Sequence, residues 1–457
     1  MDPDAERLFH EGNAHLQAHD HGRAEACFRQ AVTIEPLLAE AHANLGWVVA
    51  RGGEADLAGS HYQRALALSS GDVQLRLNYG AFLARMKRYE AAERVYFGAV
   101  DLDPVRPQVW SNLAALYAQM ERFEEAEDCC RKSLSLDPGY VKAHINLAFL
   151  CLRRGLFGEG LAHYEWRPWQ ADLSKHVAGP RWAGESLIGK SIVVGHEAGH
   201  GDAIQFSRYA GLLKQRGASR VALVCPQALR DLFASLDGVD AVVGFDDALA
   251  GDWDVWTSLM SLPFHLQTRL DTIPATLPYL RSRPDQIARW GARLPSAGAR
   301  VGLAWRGNAT FENDADRSIP SLDDLRPLGR AGDVRFISLQ LARRAADKGA
   351  ALDLFDITAD IESFADTAAI ISNLDLVISV DTAVAHLAAA LGKPCWVMLP
   401  RHMTDWRWLS GRTDSPWYPG SMRLFRQPRD GDWATVVAAI GAELTTFLLE
   451  RSADAGN

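Results

Sequence analysis

The chain has 457 residues, 48% hydrophobic and 23% charged, with a formal net charge of −9, the composition of an ordinary globular protein with room for about three domains. The acidic balance argues against nucleic acid or an anionic membrane surface as a partner, since both repel it. Six cysteines without a CxxC pair argue against a disulfide framework or a thiolate metal site, and leave buried reduced thiols as the expectation.

The N-terminal stretch MDPDAERLFHEGNAH lacks the basic and apolar regions of a secretory signal. No uninterrupted run of 18 apolar residues follows anywhere. A cytoplasmic address with no membrane span is therefore expected. A 34-residue period then aligns copies at 5–38, 39–72, 73–106 and 107–140, with a partial fifth at 141–165. Repeat position 8 holds Gly12, Gly46, Gly80, Ala114 and Ala148, and position 20 holds Ala24, Ala58, Ala92, Ala126 and Gly160. Position 24 is Phe28, Tyr62, Tyr96, Cys130 and Tyr164, while Pro36, Pro104 and Pro138 close three of the copies. Small residues at positions 8 and 20 let two helices approach, an aromatic at position 24 plugs the gap, and proline ends the second helix. The pattern resembles the tetratricopeptide-repeat family, which implies an α-helical superhelix.

A second column, Asn44, Asn78, Asn112 and Asn146, occupies position 6 of the first helices, with His10 in the first copy. It sits roughly 200° around the helix from position 8, on the inner wall that the first helices share. Carboxamides at a regular pitch both donate to and accept from a peptide backbone whatever its sequence. Asparagine is a poor interior helix former, so propensity does not account for the column. It resembles the asparagine ladder in the repeat domain of O-linked N-acetylglucosamine transferases, which implies a protein acceptor bound there. The competing reading is that these amides cap loops or bond across repeats.

Repeat periodicity fades after Tyr164, and residues 166–189, with Trp166, Pro168, Trp169, Pro180 and Trp182, read as a rigid bridge. From Lys190 short apolar runs alternate with helical stretches: SIVVG, a glycine loop, IQFSRYAGLLKQRG, VALVC at 221–225, a helix at 228–235, and AVVGF. This alternation predicts βαβ units on a parallel sheet over 190–285. An Arg- and Pro-rich separator precedes a second series over 298–450, with VGLAW at 301–305, FISLQ at 336–340 and LDLVISVDTAVAHLAAALGKPCWVMLP. Two Rossmann-like halves joined by a linker describe a glycosyltransferase-B arrangement, with ligands at the carboxyl ends of the strands. A final helix over 434–450, apolar on one face, is expected to dock on the core.

Three strand-end loops hold the candidate chemistry. The first is Gly195–Asp202, where glycines at 199 and 201 let backbone approach a ligand. The second holds Arg306, Asn308 and Arg317, with Gln340 ending the next strand. In the third, Asp381, Thr382, Ala383 and His386 open a helix whose free N–H groups suit a phosphate. His196-Glu197-Ala198-Gly199-His200 spells H-E-x-x-H, but glycines flank it just after a strand, so it reads as loop rather than as a zinc-binding helix.

The motifs GHGDAIQF, VGLAWRGN, RSIP, SLQ, DTAAIISNLDLVISVDTAVAHLAAALGKP and DWRWLSGRTDSPWYPGSMRLFRQPRDGDW, spread over about 190–440, resemble the ADP-heptose:lipopolysaccharide heptosyltransferase-like family and its repeat-fused bacterial members. The resemblance implies that Asp202 is the general base, and that Asp381, Thr382 and His386 bind the donor's phosphates. It also implies an inverting transfer from a nucleotide sugar without a metal or other cofactor. Because heptosyltransferases lack the repeats, the acceptor need not be lipopolysaccharide, and a protein such as flagellin fits the repeat-fused members. The rival reading is a repeat scaffold whose transferase-like half is catalytically inactive. The Trp-rich tail, with Trp406, Trp408, Trp417 and Trp433, is expected to be packing rather than a sugar platform.

Overall fold

A computed structural model describes residues 2–168, 179–247, 252–311, 313–341 and 352–455; Trp169 and the bridge positions through 178 lie outside the described residues. The chain forms two compact units, 1–150 and 151–457.

The first unit is built from helical pairs: α1 (Pro3–Gln17), α2 (His21–Ile34), α3 (Ala39–Arg51), α4 (Ala55–Leu68), α5 (Val73–Arg85), α6 (Tyr89–Leu102), α7 (Pro107–Gln119) and α8 (Phe123–Leu136), followed by α9 (Val141–Arg153). The helices α3, α5, α7 and α9 begin at 39, 73, 107 and 141, the 34-residue pitch of the sequence. A methyl group added at Gly12 would lie 2.6 Å from the Phe28 ring, and one at Gly46 3.1 Å from Tyr62. One added at Gly80 would clash with the edge of the Tyr96 ring. Position 8 is thus the seat of the aromatic at position 24 of the same copy. The aromatic also reaches the next copy, since Tyr62 lies 5.5 Å from Tyr79 and 5.2 Å from Phe82, ring centre to ring centre. In the fourth copy position 8 gains a methyl, in Ala114, and the partner at position 24 is the smaller Cys130, which keeps the volume balance there. Each pair turns through a residue of positive φ at repeat position 15: His19 at 59°, Gly53 at 90°, Lys87 at 55° and Glu121 at 59°. This left-handed residue closes the first helix as a C-terminal cap.

The second unit starts with α10 (Phe157–Tyr164) and carries two all-parallel sheets. The first sheet has the order β3-β2-β1-β4, with β1 (Ser191–Gly195), β2 (Arg220–Val224), β3 (Ala241–Val243) and β4 (Val255–Ser258). Its helices are α11 (His200–Phe206), α12 (Ala210–Gln215), α13 (Gln227–Phe233) and α14 (Leu262–His265). The separator folds as α15 (Pro284–Gly291), whose buried Trp290 donates to the Asp366 carboxylate at 3.0 Å. The second sheet, β10-β9-β8-β5-β6-β7, comprises β5 (Ala299–Ala304), β6 (Val334–Ser338), β7 (Leu354–Phe355), β8 (Leu376–Val380), β9 (Cys395–Leu399) and β10 (Met422–Arg426). Its helices are α16 (Asp314–Arg317), α17 (Phe364–Ser372), α18 (Ala383–Ala390) and α19 (Trp433–Ala455). Two all-parallel sheets flanked by helices are the α/β architecture that the alternation of strands and helices predicts.

The described part of the bridge extends the first sheet: Arg181 pairs in parallel with Trp256, whose indole donates to the Gly179 carbonyl at 3.1 Å. Stretch 433–451 is long and apolar enough to cross a membrane by length and composition, although a search for uninterrupted apolar runs passes over it. Here Trp433, Val436, Val437, Ile440 and Leu444 of α19 are buried in the core of the second sheet.

The pairing of positions 8 and 24 yields a test by double-mutant cycle. Gly80→Ala should cost about 1–3 kcal/mol by overpacking. Tyr96→Cys should cost less in the Gly80→Ala background than in the wild type, because it recreates the Ala114–Cys130 pairing. Additive losses in denaturant unfolding would show that the two positions do not share one seat.

Candidate functional site

The carboxyl ends of β1, β5, β6 and β8 open on one cleft of ≈ 460 Å³. Gly199, Gly201, Asp202, Arg306, Asn308, Arg317, Gln340, Asp381, Thr382, Ala383 and His386 all line it. The residues singled out from three distant loops therefore meet in space.

The first wall is the loop after β1. Its H-E-x-x-H stretch is not helical: Ala198 has φ of 69°, and α11 begins only at His200. Glu197 is not a cleft residue. It is buried, takes two bonds from Arg167 at 2.5 and 3.0 Å, and accepts from Ser258 at the end of β4. Among the described residues, no group of three or more His, Cys, Asp or Glu is arranged to hold a metal ion. His200 does line the cleft, with its pKa lowered by burial.

Asp202 is the third residue of α11, which starts at His200 and gives way to a 3₁₀ turn at Ser207–Tyr209. One Asp202 oxygen, Oδ2, reaches back to the Gly199 N–H at 2.8 Å, while Oδ1 meets the Arg407 guanidinium. Burial raises the Asp202 pKa, and the Arg407 charge opposes that rise. Gly201 lines the cleft and meets a packing constraint as well. A Cβ there would stand 3.0 Å from His386 and 3.4 Å from the Ala383 Cα, so the missing side chain is what lets α11 lie against α18.

The second wall follows β5. Arg306 is buried rather than solvated, and its guanidinium donates to the carbonyls of Ile319 at 3.3 Å and Pro320 at 2.8 Å. The Gln340 side-chain oxygen accepts from the N–H groups of Trp305 and Arg306 at 3.2 and 2.9 Å, tying the ends of β5 and β6 together. Arg317 bonds Asp314 at 3.3 Å and packs over Phe311, and the two polar side chains crowd Gly307 so closely that any side chain there would have to displace them. Asn308 turns its own loop by accepting from the Thr310 N–H at 3.1 Å.

The third wall is the start of α18. Thr382 is its N-cap but makes no side-chain bond to the helix, its hydroxyl lying 2.8 Å from that of Ser379. The first N–H groups of α18 are thus left uncapped by a side chain, at the positive end of the helix dipole. Asp381, half-buried beside Asp405, has its pKa pushed up to about 6 by burial. His386 is buried, stacks on Trp408 at 5.1 Å and holds the Tyr418 hydroxyl at 2.8 Å through Nδ1. Burial drives its pKa down to about 3, so it stands in the cleft wall as a neutral imidazole.

Sequence reasoning passed over Asp405 and Arg407, which also line the cleft. Charged residues alternating with tryptophan in D-W-R-W are the signal, because charges inside an apolar run are retained only when paired. Trp406, Trp408, Trp417 and Trp433 themselves are all buried, which makes them packing.

The asparagine column stays in register, and its amides have partners inside the repeats. Asn44 donates to Asn13 at 2.7 Å, and Asn146 to the Ser111 carbonyl and hydroxyl at 3.1 and 3.2 Å. Asn78 accepts from Gln74 at 3.0 Å, and Asn112 bonds the Tyr96 hydroxyl.

The repeat unit and the paired parallel sheets with a strand-end cleft accord with tetratricopeptide repeats followed by a heptosyltransferase-like glycosyltransferase domain. Tetratricopeptide-repeat models match residues 9–73, 50–117 and 107–140, and the model of Glycosyltransferase family 9 (heptosyltransferase) matches 355–397. The chain is similar to Protein FlbA of Caulobacter vibrioides, at 26% identity over 329 residues, 65% of this chain and 54% of FlbA. It thus spans about half the length of that curated relative. Among solved structures it is similar to PilF of Pseudomonas aeruginosa, at 30% identity and TM-score 0.34, covering 36% of this chain and 75% of that one. It is also similar to MamA of Desulfovibrio magneticus RS-1, at 21% identity and TM-score 0.31, covering 36% and 92%.

Asp381 supplies a pH test. A carboxyl whose pKa is raised on folding stabilises the protein only while protonated. Its contribution is complete below the unfolded value of 3.8 and is lost as pH rises through about 6. Asp381→Asn should therefore raise Tm at pH 8, with the gain fading below pH 4. A variant no more stable than the wild type at pH 8 would contradict the burial of this charge.

Proposed function

We propose that the cleft transfers a sugar from a nucleotide-activated donor to a hydroxyl of a protein acceptor recruited by the repeats. The observation that carries this reading is that the Asp202 carboxylate and the uncapped start of α18 line a single cleft. The acceptor oxygen attacks the anomeric carbon as the bond to the departing phosphate breaks, with inversion. Asp202 takes the hydroxyl proton. The N–H groups of α18, Thr382 and the neutral His386 receive the phosphates, and Arg306, Arg317, Asn308 and Gln340 shape the donor pocket. No step in this scheme calls on a metal or other cofactor.

For the acceptor, the asparagine column at one-repeat pitch supports an extended protein chain, and the resemblance to repeat-fused transferases makes a flagellin-like protein, modified in the cytoplasm, the leading candidate. The internal partners of Asn44, Asn112 and Asn146 favour bonding across or within repeats instead. Replacing Asn44, Asn78, Asn112 and Asn146 by Ala decides between the two: acceptor recruitment predicts that transfer to protein falls while donor hydrolysis persists. If both activities fall, or neither does, the column is structural.

Catalysis and an inactive scaffold separate on Asp202→Asn. Transfer should drop about 10²-fold or more, with folding and donor affinity intact. Thr382→Val should weaken nucleoside diphosphate binding by about 0.5–1.5 kcal/mol in calorimetry. Unchanged transfer in folded Asp202→Asn refutes the base, and unchanged affinity in Thr382→Val removes that hydroxyl from the site.

A further inference from the structure

Asp202 sits where the two halves of the α/β unit meet. Four groups face it from the surrounding elements: Arg407 and Asp405 from the turn before β10, Glu197 from the loop after β1, and Tyr164 from α10. Tyr164 is neutral, because burial raises its pKa, and Glu197 is already matched by Arg167. Two carboxylates, Asp202 and Asp405, therefore share the Arg407 guanidinium. Asp405 holds its Nη1 with both oxygens, at 2.8 and 2.7 Å, and Asp202 takes Nη2. The guanidinium is also fixed from the apolar side, 5.2 Å from the centre of Phe206 and 4.7 Å from that of Trp406. It is buried and has little freedom to follow either acid.

We infer that Arg407 is a positioning residue that holds Asp202 in place at the cleft and favours its carboxylate form, and that Asp405 weakens this hold by sharing the same guanidinium. The inference deepens the reading of Asp202 as the base, on which its functional meaning rests. A buried carboxylate without a cation takes up a proton at ordinary pH and no longer accepts one from a substrate. Removing Arg407 leaves the half-buried Asp202 and Asp405 facing each other with no counter-charge between them. Removing the Asp405 charge leaves Arg407 wholly to Asp202. The two changes therefore push the Asp202 titration in opposite directions, which damage to packing would not do.

The test is a ¹³C NMR titration of the full chain labelled at aspartate Cγ, with the Asp202 resonance assigned by its loss in Asp202→Asn. Relative to wild type, Arg407→Met should move the Asp202 midpoint up by at least about one pH unit. Arg407→Lys, which keeps the charge but not the fork, should move it up by less, and Asp405→Asn should move it down. A midpoint unmoved or lowered in folded Arg407→Met, or raised in Asp405→Asn, overturns the inference. If Arg407→Met does not fold, Arg407→Lys and Asp405→Asn decide alone, by the same opposed signs. The titration needs no substrate, so its failure is distinct from failure of the base reading, which shows as full transfer activity in Asp202→Asn.

Discussion

The cleft depends on how closely α11 approaches α18. At Gly201 the first half of the α/β unit lays bare backbone on the start of the helix that carries Ala383 and His386, so close that even a methyl would press on both. That approach brings Asp202 and the uncapped N–H groups of α18 into one cavity, although they stand about 180 positions apart in the chain. A buried cation fastens the same seam from the far side. Arg208, just after α11, donates to the carbonyls of Trp417 at 2.5 Å and Pro274 at 3.3 Å and to the Tyr279 hydroxyl at 3.0 Å, and lies over the ring of Tyr418. Tyr418 in turn holds His386. Arg208 on one side and Arg407 on the other thus tie the first half to the second through charged groups held out of water.

Charge is concentrated here because strand-end loops carry backbone groups that no sheet neighbour satisfies. Asp202 and Gln340 answer such groups directly, each accepting from main-chain N–H of its own loop or the next strand. Arg306 does the converse, donating to the carbonyls of Ile319 and Pro320. The same side chains that line the cleft therefore hold its shape. A substitution at Arg306 or Gln340 acts on loop geometry as well as on any ligand, which sets these two apart from Thr382, whose hydroxyl meets that of Ser379 rather than a backbone group of its helix.

Much of the architecture was legible in the sequence. The repeat pitch survives unchanged into the helix starts because each copy repeats one packing problem, a small residue under an aromatic, as at Gly46 and Tyr62. The strands β1, β2, β5, β6 and β8 announced themselves as apolar runs. β4 did not, since Val255–Ser258 is short and half polar, and its place beside β1 comes from pairing rather than propensity. At the site, the loops were readable from glycine and helix-start chemistry, but the partners were not. Nothing local to Asp202 points to Arg407, 205 positions away, and nothing local to Glu197 points to Arg167 or Ser258. Long-range ion pairs follow from tertiary packing, so a linear reading sees only that a charge stands in an unexpected place, as in D-W-R-W.

The central claim is that the donor nucleotide lies across the strand ends of the second sheet, with its phosphates on α18. Photolabelling the full chain with azido-nucleotide sugars, followed by peptide mapping, tests it most directly. The account predicts that label accumulates on peptides containing 306–317 or 381–386, and that unmodified nucleoside diphosphate suppresses it. Competable label confined to the repeats, or to surfaces away from these strand ends, would contradict it.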